Sequence, residues 1–140
     1  MDFLPVIGPR RLEESTGIPT LDEICAAVES TRFDDDVGSV HSKIHRALIA
    51  KGFRARREYG PILYTRNNGK LCSRGRVDLF AWKQGVSIAI EIDNRSPRKN
   101  SILKLRAVAA IYKIIVIRKG SWKKSVPGID LVLTIAQEID

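Results

Sequence analysis

Residues 86–93 read Val-Ser-Ile-Ala-Ile-Glu-Ile-Asp. The alternation is that of a β-strand. Val86, Ile88, Ile90 and Ile92 fall on one face, and Ser87, Ala89, Glu91 and Asp93 on the other. Two carboxylates therefore project the same way, about 7 Å apart along the strand. They sit at the end of an otherwise apolar segment, where bare anions lose hydration and repel each other. A divalent cation relieves both penalties. A small set of oxygen ligands suits Mg²⁺, or Mn²⁺ in its place. The alternative is that Glu91 and Asp93 pair with arginines, which the chain has in plenty.

Upstream, Gln84-Gly85 reads as a tight turn, and Arg74–Lys83 as the strand that enters it. If the two strands fold back on each other around that turn, Asp78 arrives beside Glu91. Three acids then converge: Asp78 from one strand, Glu91 and Asp93 from the next. Downstream, Asn94–Pro97 is a break. Ser96 can cap a helix and Pro97 suits its first position, which predicts a helix over 97–111. Its first turn has free N–H groups that favour an anion. Arg95, Arg98 and Lys99 cluster there, and Lys104 and Arg106 follow. Acids fit to hold a metal, next to a basic helix start fit to hold phosphate, suit a phosphodiester. Lys113–Arg118 is a short apolar strand of the buried kind, 120–128 a loop with the basic pair Lys123 and Lys124, and Ile129–Ile135 a last strand.

The N-terminal third is different in character. Residues 1–19 are rich in Pro and Gly and read as an irregular arm. A helix is predicted from Thr20 to Ser30, with Thr20 and Glu23 at capping-box spacing. A second runs from Val40 to Lys51, capped by one of Asp34, Asp35, Asp36 or Ser39 and stopped by Gly52. His41 and His45 stand four apart on it, so they share a face. Phe53–Tyr59 reads as a strand, and Asn67-Asn68-Gly69 as a turn between two strands. The division this suggests is an acidic arm and helix over 1–36 and a core domain over 37–140.

Charge sharpens the division. The chain has 140 residues and a net charge of +8. Residues 1–40 carry nine acids against three bases, a balance of −6, whereas 41–140 carry 21 bases against seven acids, a balance of +14. A basic body of this size points to a polyanion. Between positions 41 and 120 only Glu58, Asp78, Glu91 and Asp93 are acidic, so the acids are placed rather than scattered. The acidic N-terminal part could bind a protein partner or fold against the basic body. No apolar run is long enough to span a membrane, and no signal-peptide pattern opens the chain. Cys25 and Cys72 form no CxxC and no disulfide framework. These features lead us to expect a cytoplasmic protein that meets nucleic acid and no membrane.

Gly75-Arg-Val-Asp78, then twelve residues, then Glu91-Ile-Asp93, followed by a helix and a buried strand, resembles the PD-(D/E)XK nuclease superfamily. The resemblance spans Val40 to Arg118. It implies an α/β fold of the restriction-endonuclease kind: an αβββαβ core with a mixed central sheet flanked by helices, here with an extra N-terminal helix. It implies a Mg²⁺- or Mn²⁺-dependent endonuclease acting on duplex or branched DNA. Asp78 and Glu91 match the family's metal-binding acids. Asp93 stands where the family usually has lysine, and would act as a third ligand or base. Lys99 or Lys104 then takes the lysine's part. An acid from the first core helix, common in the family, is missing, and Glu58, the Asp34–Asp36 run at the helix start or His41 could substitute for it at the metal. Arg74, Arg76, Arg95, Arg98, Lys99, Arg106, Lys123 and Lys124 would contact nucleic acid. Small nucleases of this kind often form homodimers, although no dimer signature is visible. The competing reading is a DNA- or RNA-binding module that keeps the fold without cleaving.

Overall fold

In the computed structural model, residues 8–9, 17–32, 36–65 and 73–135 are described. The predicted Asn67-Asn68-Gly69 turn, Asp34, Asp35 and Cys72 lie outside them. The elements run β1 (Gly8–Pro9), α1 (Pro19–Glu29), α2 (Val37–Ala50), β2 (Arg54–Tyr64), β3 (Ser73–Lys83), β4 (Val86–Asp93), α3 (Lys99–Ala107), β5 (Tyr112–Ile117) and β6 (Leu131–Thr134). A mixed five-stranded sheet in the order β6-β5-β4-β3-β2 forms the centre, and β1 adds two residues beside β6. The arm expected to be irregular thus supplies an edge pairing at Gly8–Pro9.

β3 and β4 form the predicted hairpin. Gln84 and Gly85 both have positive φ, 51° and 80°, as a two-residue type I′ turn requires. β4 and β5 are parallel, so the chain must cross over between them, and α3 is the crossover. α1 and α2 cover one face of the sheet. Leu21, Ile24 and Val28 of α1 and Val40, Ile44 and Leu48 of α2 pack with Leu79, Ile88, Ile90, Ile92, Ile114 and Val116. On the opposite face, Leu105 and Val108 pack with Val77, Phe80, Ala89, Ile115 and Ile117.

Local chemistry explains most helix ends. Asp36 caps α2 by accepting the Gly38 N–H at 3.0 Å. The other end is a Schellman motif. Gly52 takes φ +89°, its N–H donates to the Ile49 carbonyl, and Phe53 N–H donates to the Leu48 carbonyl at 3.1 Å. Phe53 and Leu48 share the core beneath that turn.

Three sequence expectations need correction. α1 begins at Pro19, with Ile18 as its cap residue and no side-chain cap bond. Proline's fixed φ and missing N–H suit the first helical position, and the Glu23 carboxylate is drawn away to Lys83 Nζ at 2.7 Å. α3 is shorter than the predicted 97–111. It starts at Lys99 and ends at Ala107, because Val108 turns extended with ψ 141° and buries its side chain with the α3-side core. β2 does not stop at Tyr59. It continues through Gly60-Pro61, a cis peptide, by slipping one residue in register between Tyr59 and Ile62. β2 is the sheet edge, where a bulge and a proline are tolerated.

Candidate metal centre

Ladder pairing between β3 and β4 runs from the turn as far as Leu79 opposite Ile90. The next pair would be Asp78 and Glu91. There side chains replace the main-chain bonds. Asp78 N–H donates to Glu91 Oε2 at 2.9 Å, and Ile92 N–H donates to Asp78 Oδ2 at 2.7 Å. The strands part at two carboxylates that stay in contact through each other's backbone.

On the other side of β3, the register brings Glu58 opposite Asp78, between the pairs Arg57–Leu79 and Tyr59–Val77. Glu58 has φ +53°, a left-handed conformation that a side chain with a Cβ rarely adopts without constraint. Side-chain facing changes hands here. Leu79 packs on the α1/α2 side, whereas Val77 and Tyr59 pack on the α3 side. Strict alternation would put Val77 with Leu79. Asp78 thus sits at a switch in the strand, reachable from both faces.

His41 reaches it from α2. Ligand atoms of His41, Glu58 and Asp78 lie within 4.8 Å of one another. His41 Nε2 is buried and has no hydrogen-bond partner, a costly state for a ring nitrogen unless something else fills the role. Two carboxylates and an imidazole suit a divalent ion such as Mn²⁺, and Mg²⁺ with less preference for the nitrogen. The donor set and the orphaned nitrogen both fit a cation. His45, on the same helix face by sequence, does not join the cluster. Its Nε2 lies 3.2 Å from the Ala55 carbonyl.

Glu91 is almost wholly enclosed, with 2% of its side chain exposed, and forms an ion pair with Lys104 Nζ of α3. Burial, then the charge of Asp78, pushes its carboxyl up to about 8, against the pull of Lys104 in the other direction. Lys104 Nζ also donates to the Arg76 carbonyl at 2.9 Å. Gly75 makes room for this lysine. A Cβ there would meet Lys104 Cδ at 2.8 Å and Tyr64 Cε1 at 3.0 Å.

Asp93 turns to a different task. Its Oδ2 accepts Arg98 N–H at 2.8 Å, and its Oδ1 accepts the Ser101 hydroxyl at 2.7 Å. It fastens the start of α3 to the end of β4 and supplies the cap expected from Ser96. Burial raises its pKa above the usual carboxylate value, partly offset by the Arg98 N–H and the Ser101 hydroxyl, and Asp78 adds a small further push.

Of the remaining candidates, Arg74, Arg76, Arg95, Arg98 and Lys99 are exposed around the acids and the start of α3, and Lys123 and Lys124 are exposed in the loop before β6. Arg106 is tied elsewhere, donating to the Pro127 carbonyl from Nε at 3.2 Å and Nη2 at 2.7 Å. Gly75, quoted above only as part of the motif, has a packing role of its own under Lys104. Its signal was there, a glycine three residues before Asp78 inside a strand, where glycine marks close approach by another group. No family model and no curated protein matches the chain. Among the described residues no helix is long and apolar enough to cross a membrane.

Proposed function

We propose that this protein is a metal-dependent nuclease that hydrolyses DNA phosphodiester bonds on the PD-(D/E)XK plan. The observation that carries the reading is the convergence on Asp78: Glu91 touches it from β4, Glu58 faces it from β2, and His41 approaches from α2. The element order, the +14 balance over 41–140 and the exposed bases around the acids support it.

Asp78, Glu58 and His41 are the residues that would hold a Mn²⁺ or Mg²⁺ ion. Such an ion supplies Lewis acidity to the phosphate and lowers the pKa of an attacking water. The remaining work falls to the chain. Lys104 delivers from α3 the positive charge that the family motif places two residues after Glu91. Its ammonium is aimed by Glu91 and by the Arg76 carbonyl, so it can hold a phosphate oxygen or a water without reorganising. Lys99, exposed in the first turn of α3, is better placed to touch the DNA backbone along with Arg95, Arg98, Arg74 and Arg76.

One observation favours the non-cleaving module instead: both oxygens of Glu91 and of Asp93 are already bonded within the protein. Plasmid nicking in Mn²⁺ and in Mg²⁺ separates the two. Cleavage that disappears with Asp78→Asn and with EDTA supports the nuclease. DNA binding without cleavage on duplex, branched and single-stranded substrates supports the binding module.

A further inference from the structure

Towards the Gln84-Gly85 turn, the α3 face of the sheet opens into a groove of about 400 Å³ lined by Arg56, Tyr59, Phe80, Trp82 and Ser87. Its floor is aromatic. Tyr59 and Phe80 stack with centroids 4.2 Å apart and planes 17° from parallel, and Trp82 leans on Phe80 at 5.9 Å and 49°. Tyr59 and Trp82 are only half-buried. The rim is cationic. Arg56 lies directly opposite Phe80 and Arg54 directly opposite Trp82 on the neighbouring strand, and both arginines are exposed. No acid lines the groove among the described residues.

An aromatic floor with guanidinium groups at its edge matches one ligand chemistry well. A base stacks on the rings while its phosphate meets the arginines. Bases inside a duplex are already stacked on each other and cannot use such a floor. Position adds to this. Phe80 follows Asp78 by two residues on β3, about 7 Å along the strand.

We infer that the half-exposed rings of Tyr59 and Trp82, held in place by the buried ring of Phe80, form a stacking shelf for unpaired nucleobases on the same strand pair as the metal centre, which directs the protein to nucleic acid with a single-stranded element. The inference deepens the nuclease reading and rests on it for its biological meaning, but binding to the shelf is measurable without cleavage. Trp82 and Trp122 are the chain's two tryptophans, so Trp122→Phe leaves Trp82 as the sole reporter. In EDTA, a single-stranded oligothymidylate quenches Trp82 emission, and a blunt duplex with the same number of phosphates leaves it unchanged. Tyr59→Leu and Trp82→Leu, which keep apolar bulk and remove a flat ring, each weaken single-strand binding about tenfold and leave duplex binding intact. Labelled-oligonucleotide anisotropy reads that difference. Trp82 emission that no oligonucleotide moves, or leucine variants that lose both strand types alike or neither, overturns the shelf. Nicking by the same preparation is scored separately. Cleavage with a silent Trp82 refutes the shelf alone, whereas quenching without cleavage keeps the shelf and refutes the nuclease.

Discussion

The two ends of the β3–β4 hairpin are built by opposite rules. At the closed end, Leu79 to Trp82 face Ser87 to Ile90 in an unbroken ladder. Apolar side chains fill both faces, and the type I′ turn costs only a left-handed glutamine. At the open end, the ladder gives way to Asp78 and Glu91, an acid faces them from β2, and the side-chain alternation reverses. The closed end follows local rules. The open end breaks them in three ways at once: strand backbone bonded by side chains in place of the ladder, a reversed alternation of side-chain facing, and buried carboxylates. Departures concentrated in this way belong to places where a structure is kept for something other than its own stability.

The open end is most sensitive at Asp78. Asp78→Asn keeps an acceptor for Ile92 N–H but removes the charge. Metal-dependent cleavage should fall by about 10³-fold or more, while the melting temperature stays close to that of wild type. A variant that still cleaves would place the chemistry elsewhere. Next comes Lys104. Lys104→Met retains the stem that lies on Gly75 and removes the ammonium, and cleavage should drop about 10²-fold. Gly75→Ala attacks the same contact from below. Its Cβ would have to displace Lys104, so the loss should be real but smaller, about tenfold, with binding to DNA retained.

Acidity distinguishes the two ends as well. Glu91 titrates near 8 in the fold against an ordinary 4.5, so the metal-free native state holds a proton that the unfolded chain releases. The stability associated with Glu91 is therefore complete below pH 4.5 and is lost as the pH rises towards 8. Glu91→Gln should flatten that part of the stability–pH curve, as measured by urea unfolding between pH 5 and about 8. A curve that keeps its slope in the variant would assign the proton to another group. The smallest effect is expected at the closed end. Gln84→Asn places the preferred Asn-Gly pair in the turn and should add about 0.5 kcal/mol of stability with no change in cleavage.

The closed end was also the more legible from sequence. The period-2 pattern of 86–93 and the Gln84-Gly85 turn are local signals, and the hairpin follows from them. Because the turn sets the register, the meeting of Asp78 with Glu91 was legible too. Gly52 and Asp36 announced the ends of α2 in the same local way. The continuation of β2 through Gly60-Pro61 was hidden, because a proline reads as a stop unless the strand is known to be an edge. Asp93 looked like a third ligand, since nothing local shows that its oxygens are engaged by Arg98 N–H and the Ser101 hydroxyl. Lys104 and Lys99 were equally open candidates on one helix. Only the packing of α3 over β3 and β4 brings one of them to Glu91. His41 and Glu58 were named as substitutes for a missing helix acid, and the fold brings both to Asp78.

The proposed cation site is gathered around Asp78. Calorimetric titration of Mn²⁺ into the wild-type protein and into Asp78→Asn tests it most directly. The wild type should show one saturable site that the variant loses while remaining folded. A wild-type protein that takes up no Mn²⁺, or a variant that binds it as tightly as the wild type, would contradict it.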